Sequence, residues 1–262
     1  MVKVAINGFG RIGRNALKIL LDRHDVQVVA INDITDAKTL AHLLKHDSSY
    51  GTYDKKVSAG ENSIIVNTRE IPVFAEKDPA NLPWKKLGVD VVIESTGFFT
   101  NPEDAKAHIA AGARKVVISA PAKGEGAKTV VLGVNEEVVE ASDVILSNAS
   151  CTTNCIAPIM KVLEDEFGID KAMMTTVHSY TGSQRILDAP AKDLREARSA
   201  AENIVLGVKD GEKYNIMGNA VAEMLRRGVC EDEQTQVELC LVKHTLLTAW
   251  RMKEEGDEVI GI

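Results

Sequence analysis

The sequence predicts an α/β fold built on a mostly parallel sheet. Up to about residue 150, short apolar and β-branched runs alternate with segments of helical period. A glycine-rich turn joins the first such run to the first helix. The 262 residues suffice for one large or two small domains, and 45% hydrophobic with 26% charged residues is an ordinary globular mix.

Residues 2–6 read as a buried strand, 11–23 as a helix and 26–31 as a second strand. Residues 63–67 and 70–74 suggest a hairpin, an antiparallel insertion between the parallel units. The runs 89–94, 115–119 and 144–146 continue the strand series, and Pro102 and Gly112 bracket a helix by the usual start and stop signals. At Ser150 the pattern restarts. Residues 151–167 read as a helix closed by Gly168, and 171–178 as a strand. Residues 206–215 read as a loop, then 216–227 and 232–255 as helices, the last from the spacing of Val237, Leu241, Leu247 and Trp250.

Charge and composition exclude several classes. With 31 Lys+Arg against 38 Asp+Glu, the formal charge of -7 argues against a broad nucleic-acid-binding face. No apolar run approaches the ~18 residues of a membrane span, and the opening MVKVAINGFGRIGRN lacks the layout of a secretion signal. The expectation is a soluble cytoplasmic protein with neither nucleic acid nor membrane as partner. Cys151, Cys155, Cys230 and Cys240 fit neither a zinc site nor a disulfide scaffold, so no metal is expected. All but Cys151 read as structural thiols.

Gly8-Phe9-Gly10-Arg11-Ile12-Gly13 follows the first strand directly and opens the first helix. Such glycines allow a tight turn, close approach of backbone to a pyrophosphate, and close packing of helix on strand. The helix N-terminus then offers free N–H groups to phosphates. Asp33 lies 20 positions beyond Gly13, at the end of the second strand, where a carboxylate can accept from a ribose 2′-OH. A plain βα turn and a solvated strand-end acid are the poorer readings. Residues 1–150 are expected to form a dinucleotide-binding domain.

Cys151 stands where a strand gives way to a helix. There the helix dipole and free N–H groups favour the thiolate, and Ser150 and Thr152 flank it with hydroxyls able to hold a polar substrate. Cys155, one turn on, points into packing. His178 ends the following strand, 27 positions after Cys151. Spacing alone favours a satisfied core histidine there, while a thiol–imidazole pair, with His178 as the activating base, is the other reading.

The segments INGFGRIGR, INDITDAKTLAHLLKHDSSYG, ESTGFF, VVISAPAKG, SNASCTTNCIAPI and TTVHSYTGSQRILD closely resemble glyceraldehyde-3-phosphate dehydrogenase. The resemblance runs from Met1 to about Val205. It implies a Rossmann domain, then a catalytic domain, usually in a tetramer, and phosphorylating oxidation of a phosphorylated aldehyde with NAD and inorganic phosphate in glycolysis. By resemblance, Cys151 is the nucleophile that forms a thioester, and His178 the base. Gly8, Phe9, Gly10, Arg11, Ile12, Gly13, Asp33, Lys77, Thr96, Gly97 and Ser119 match cofactor positions. Ser150, Thr152 and Thr181 match substrate or phosphate contacts.

The chain also departs from the family pattern. Glu196, in Asp193-Leu-Arg-Glu-Ala-Arg198, stands where many members place a phosphate-holding arginine. After Val205 the family's phosphate-binding threonine segment is replaced by Leu206-Gly-Val-Lys-Asp-Gly211, and 206–262 resembles nothing nameable. The resemblance thus implies a partial catalytic domain over 151–205, truncated or rearranged, and a divergent helical tail over 206–262. The alternative to an active dehydrogenase is a degenerate, non-catalytic NAD-binding member that keeps a reactive thiol. Asp33 favours NAD, but Ala189 stands where strictly NAD-dependent relatives often carry leucine, so NADP is a second possibility.

Overall fold

A computed structural model describes residues 1–170, 172–203, 205–207, 237–239 and 246–251. Two compact units emerge, Met1–Cys151 and Thr152–Ile262. In the first, the strands are β1 (Val2–Asn7), β2 (Val26–Asn32), β3 (His46–Asp47), β4 (Gly51–Thr52), β5 (Val57–Ala59), β6 (Ser63–Val66), β7 (Arg69–Phe74), β8 (Val91–Glu94), β9 (Lys115–Ile118), β10 (Lys128–Thr129) and β11 (Ile145–Ser147). Its helices are α1 (Arg11–Leu20), α2 (Ala37–Lys45), α3 (Trp84–Leu87) and α4 (Pro102–Ala110).

Nine of these strands form one sheet in the order β10-β11-β9-β8-β1-β2-β7-β6-β5. From β10 through β7 neighbours pair parallel, and only β6 and β5 run antiparallel beyond β7. The expected α/β class is therefore present, with the expected 63–74 hairpin as its antiparallel end. Strand order turns back on itself at β1, which lies between β2 and β8, and such a switch point opens a crevice at the strand C-termini.

Alternate residues of β1 and β2 feed two separate cores, as a sheet covered on both faces requires. Ala5 and Ala30 join Trp84, Val92, Val116 and Ile118 on one side, while Ile6 and Ile31 join Phe9, Leu17, Leu40 and Leu44 on the other. One irregularity interrupts the ladder. Val4 pairs Val28 but Ala5 pairs Ala30, so β2 holds one extra residue, a bulge, before its last three positions. Helix α1 stops at Leu20 rather than running to residue 23, because Asp22 and Arg23 turn back onto the carbonyls of Ile19 and Leu20.

The second unit contains α5 (Cys151–Phe167), whose first residue belongs to the first unit, with β12 (Ala172–His178), β13 (Val205–Gly207), β14 (Val237–Leu239) and β15 (Leu246–Arg251). The helix at 151–167 and the strand ending at His178 form as expected. Ile156 and Met160 of α5 pack against Leu163, Ile169, Ala172 and Met174. The four strands make a mixed sheet in the order β13-β14-β12-β15.

Two expectations for the tail need correction. The loop over 206–215 begins instead inside β13, and the helix over 232–255 is replaced in its described parts by β14 and β15. The apolar spacing there fits a helix loosely, whereas β15 pairs six residues antiparallel with β12 and so satisfies backbone groups that a lone β12 would leave open. The helix expected at 216–227 lies outside the described residues.

Candidate functional site

The loop after β1 is shaped by contacts that tolerate no side chain. A Cβ on Gly8, at φ +90°, would lie 2.5 Å from Thr96 N, and one on Gly13 would lie 2.1 Å from Gly8 O. Gly8 thus lets the loop approach the segment after β8, and Gly13 lets α1 pack on it. Gly10 differs: nothing lies within 4 Å of its Cβ position, so the space above it is open. Gly10 caps α1 with no side-chain hydrogen bond, and the first turn holds no acid. A helix N-terminus beside open space, with no acid in its first turn, suits an anion such as a pyrophosphate.

Asp33 closes the loop from the side. Its Oδ2 accepts from Phe9 N at 2.7 Å and its Oδ1 from Thr35 N at 2.9 Å. Each carboxylate oxygen keeps a further lone-pair site, enough for a vicinal diol. Phe9 itself is fully buried, so its side chain supports the loop rather than facing a ligand. Arg11 and Ile12 are exposed at the start of α1. The Arg11 guanidinium donates to Asp47 Oδ2 at 2.5 Å and holds that buried carboxyl well below the usual carboxylate range. Lys77 is exposed just beyond β7, Gly97 is exposed beyond β8, and Ser119 follows β9 with its N–H on Glu94 O at 2.9 Å.

Beneath this rim lies a polar belt that sequence inspection missed. Asn32, Asn7 and Glu94 end β2, β1 and β8, and the sheet register sets them side by side. Asn32 Nδ2 donates to Asn7 Oδ1 at 2.7 Å, and Asn7 Nδ2 to Glu94 Oε2 at 2.5 Å. Buried His108 of α4 and Trp84 of α3 extend the belt. Glu94 Oε1 accepts both Thr96 N–H, at 2.8 Å, and its hydroxyl, at 2.5 Å. The available signal was a polar residue closing each apolar strand one or two positions before a candidate site residue.

Cys151 is exposed and α5 begins with it. The preceding turn is held by Ser147, whose Oγ donates to Ala120 O at 2.8 Å and accepts from Ala149 N at 3.2 Å. Ala149 sits at φ +57°, a left-handed conformation costly for alanine and common near functional residues. Ser150 and Thr152 flank the thiol, both half-buried.

In the second unit, His178 Nδ1 lies 2.6 Å from Ser179 O. A carbonyl only accepts, so Nδ1 carries a hydrogen and Nε2 is the basic nitrogen of the neutral ring. Thr181 is exposed, with its Oγ1 3.1 Å from Ser183 Oγ and its N–H on Gln184 Oε1. Around half-buried Glu196, Arg195 pairs with Asp193 at 2.7 Å and Arg198 with Asp188 at 2.8 Å.

A parallel sheet that reverses at β1, with a glycine-cut turn and a carboxylate just beyond the next strand, defines a dinucleotide-binding protein of the Rossmann type. Residues 2–102 match the glyceraldehyde 3-phosphate dehydrogenase NAD binding domain, and residues 150–214 match the C-terminal domain of the same enzyme. The chain is 59% identical over 206 residues to glyceraldehyde-3-phosphate dehydrogenase 1 of Bacillus cereus, covering 78% of this chain and 61% of that protein. It is 60% identical over 205 residues to glyceraldehyde-3-phosphate dehydrogenase of Geobacillus stearothermophilus, again 78% and 61%, and 61% identical over 207 residues to that of Thermotoga maritima, 78% and 62%. The chain belongs to the glyceraldehyde-3-phosphate dehydrogenase family, and NAD is the cofactor of its N-terminal unit. It spans about three-fifths of the length of the curated relatives it matches, at 61–62%. Among the described residues, no helix is long and apolar enough to cross a membrane.

Proposed function

We propose that this chain oxidises and phosphorylates glyceraldehyde 3-phosphate to 1,3-bisphosphoglycerate, a glycolytic step, through a thioester on Cys151. The observation that carries the reading is the thiol itself, exposed at the first residue of a 17-residue helix within SNASCTTNC. The helix N-terminus favours its thiolate. His178, with Nε2 left basic, supports the paired role of acid and base. In this mechanism His178 Nε2 takes the Cys151 thiol proton, the thiolate attacks the aldehyde carbon, and His178 passes that proton to the oxygen of the resulting hemithioacetal. His178 then takes that proton back as the C–H bond breaks. NAD, when bound, supplies the hydride acceptor. Inorganic phosphate next attacks the thioester carbonyl, the C–S bond breaks, and the thiolate returns as acyl phosphate leaves.

The cofactor would be held by Gly8, Gly10, Gly13 and Asp33, with Lys77, Thr96, Gly97 and Ser119 around them. Ser150, Thr152 and Thr181 would meet substrate or phosphate. Residues 1–150 serve as the dinucleotide-binding domain and 151–205 as a partial catalytic domain. A cytoplasmic, homo-oligomeric setting completes the proposal, with NADP as a second cofactor that Ala189 would admit.

The test is NADH formation from NAD and glyceraldehyde 3-phosphate during a phosphate titration, with Cys151→Ser as control. Saturable, phosphate-dependent formation that vanishes in the variant is expected. Cysteine-independent formation would overturn the reading.

A second reading has its own support. Arg195 and Arg198 already pair with carboxylates, and Glu196 adds a negative charge where phosphate would have to be held. Under that reading the chain binds NAD and keeps a reactive thiol, but does not use phosphate. Slow aldehyde oxidation or ester hydrolysis at Cys151, indifferent to phosphate, would favour it.

A further inference from the structure

We infer that Glu94 is a positioning residue that fixes the Thr96 hydroxyl as a hydrogen-bond acceptor toward the dinucleotide, so that Thr96 meets a sugar hydroxyl rather than a phosphate oxygen. The inference rests on the proposed contact of Thr96 with the cofactor. It follows from hydrogen-bond polarity, which is fixed at both ends of the belt.

At one end, Trp84 Nε1–H can only donate, and it donates to His108 Nδ1 at 3.0 Å. Nδ1 therefore carries no hydrogen, and Nε2 donates its own to Glu94 Oε2 at 3.0 Å. At the other end, the Glu76 backbone orients Asn32. Its N–H donates to Asn32 Oδ1 at 2.9 Å, and its carbonyl accepts from Asn32 Nδ2 at 2.9 Å. Asn32 Nδ2 then faces Asn7 Oδ1, which turns Asn7 Nδ2 toward Glu94. Both chains deliver donors to Glu94, and Asn7, Glu94, His108 and Trp84 are each at most 1% exposed, out of reach of water that could invert the pattern.

Both of those donors meet Oε2, and Oε1 accepts from the Thr96 N–H and hydroxyl. Thr96 has one hydroxyl hydrogen, and that hydrogen is committed to Glu94 Oε1. Thr96 Oγ1 also accepts from Phe98 N at 3.0 Å. What remains on Thr96 Oγ1 is a lone pair. It attracts a hydroxyl donor and opposes a phosphate oxygen, itself an acceptor.

The experiment is a double-mutant cycle on NAD affinity by calorimetry, with amide hydrogen exchange at Thr96 and Phe98 in the cofactor-free protein. Glu94→Gln and Thr96→Val should each weaken NAD by about tenfold, and the double variant should bind no worse than Thr96→Val alone. Exchange at both amides should quicken in Glu94→Gln without any NAD present. Additive losses would overturn the inference, because they would mean that Glu94 acts independently of Thr96. Should Glu94→Gln fail to fold, Thr96→Ser and Thr96→Val decide. Serine keeps the acceptor and should bind within about twofold of wild type, whereas equal binding of the two variants would overturn the inference. Wild-type protein that does not bind NAD would instead sink the functional reading, and the exchange data would still report whether Glu94 holds Thr96.

Discussion

The two sheets hold their candidate site residues in different ways. In the N-terminal unit, β1 is flanked by parallel strands over six and four residue pairs, and the candidate cofactor residues leave the ends of adjacent strands. In the C-terminal unit, β12 carries His178 at its tip and shares only two pairs with β14, while its six-residue partner β15 comes from far along the chain. A binding loop specified by neighbours is robust to what happens downstream. A histidine at the end of a strand depends on whichever segment completes the sheet.

The largest expected effect attacks the local motif. Gly13→Ala places a methyl where 2.1 Å separates it from Gly8 O, backbone against backbone. NAD affinity measured by calorimetry should fall by more than about a hundredfold, since the loop and α1 must separate to make room. Affinity within a few fold of wild type would mean that the loop is less tightly specified than its geometry implies.

Next, Ala249→Pro strikes the middle of β15, opposite Met174. Proline in mid-strand withdraws a donor and disrupts pairing. Cysteine-dependent NADH formation should drop by at least about tenfold, with the NAD dissociation constant moving less than about twofold. A parallel loss of NAD binding would erase the contrast between the units.

Thiol chemistry sharpens the same contrast. Early alkylation by iodoacetamide at pH 7, mapped by mass spectrometry, should favour exposed Cys151 over half-buried Cys155 by about tenfold or more. Equal labelling would remove the helix N-terminus as an activating feature.

A smaller effect concerns stability. Asp47→Asn leaves the Arg11 guanidinium without its buried carboxylate and should cost about 1.5–3 kcal/mol in urea unfolding at neutral pH. Because the folded state holds this carboxyl below its ordinary range, the contribution is complete above about pH 4 and is lost as pH falls further. Wild type and variant should therefore converge in acid. A gap as wide at pH 2 as at neutral pH would assign the loss to packing. The smallest effect is expected from Glu196→Arg. It should raise phosphate stimulation by less than about threefold, since the segment after Val205 still departs from the family pattern.

Sequence and structure agree best where the physics is local. Gly8, Gly10, Gly13 and Asp33 could be read directly, because each meets a demand of its own turn or strand end. The belt of Asn7, Asn32 and Glu94 could not. Each is an unremarkable polar strand end alone, and only the parallel register makes them neighbours. The tail misled for a related reason: Val237, Leu247 and Trp250 suit a helical face loosely, and their competing role depends on pairing with a distant strand. His178 was ambiguous by spacing. Its bond to Ser179 O defines which nitrogen is basic, a fact no pattern carries.

The bulge in β2 has a consequence for how this family fold can change length. One residue beyond Val28 is unpaired, so the two halves of β2 keep separate phase relations with β1. A residue gained or lost in the turn before β2 can be taken up at that joint, ahead of Asn32 and Asp33. The rim of the crevice is in this way insulated from indels at the opposite end of the strands, and sequence drift there need not retune the binding end.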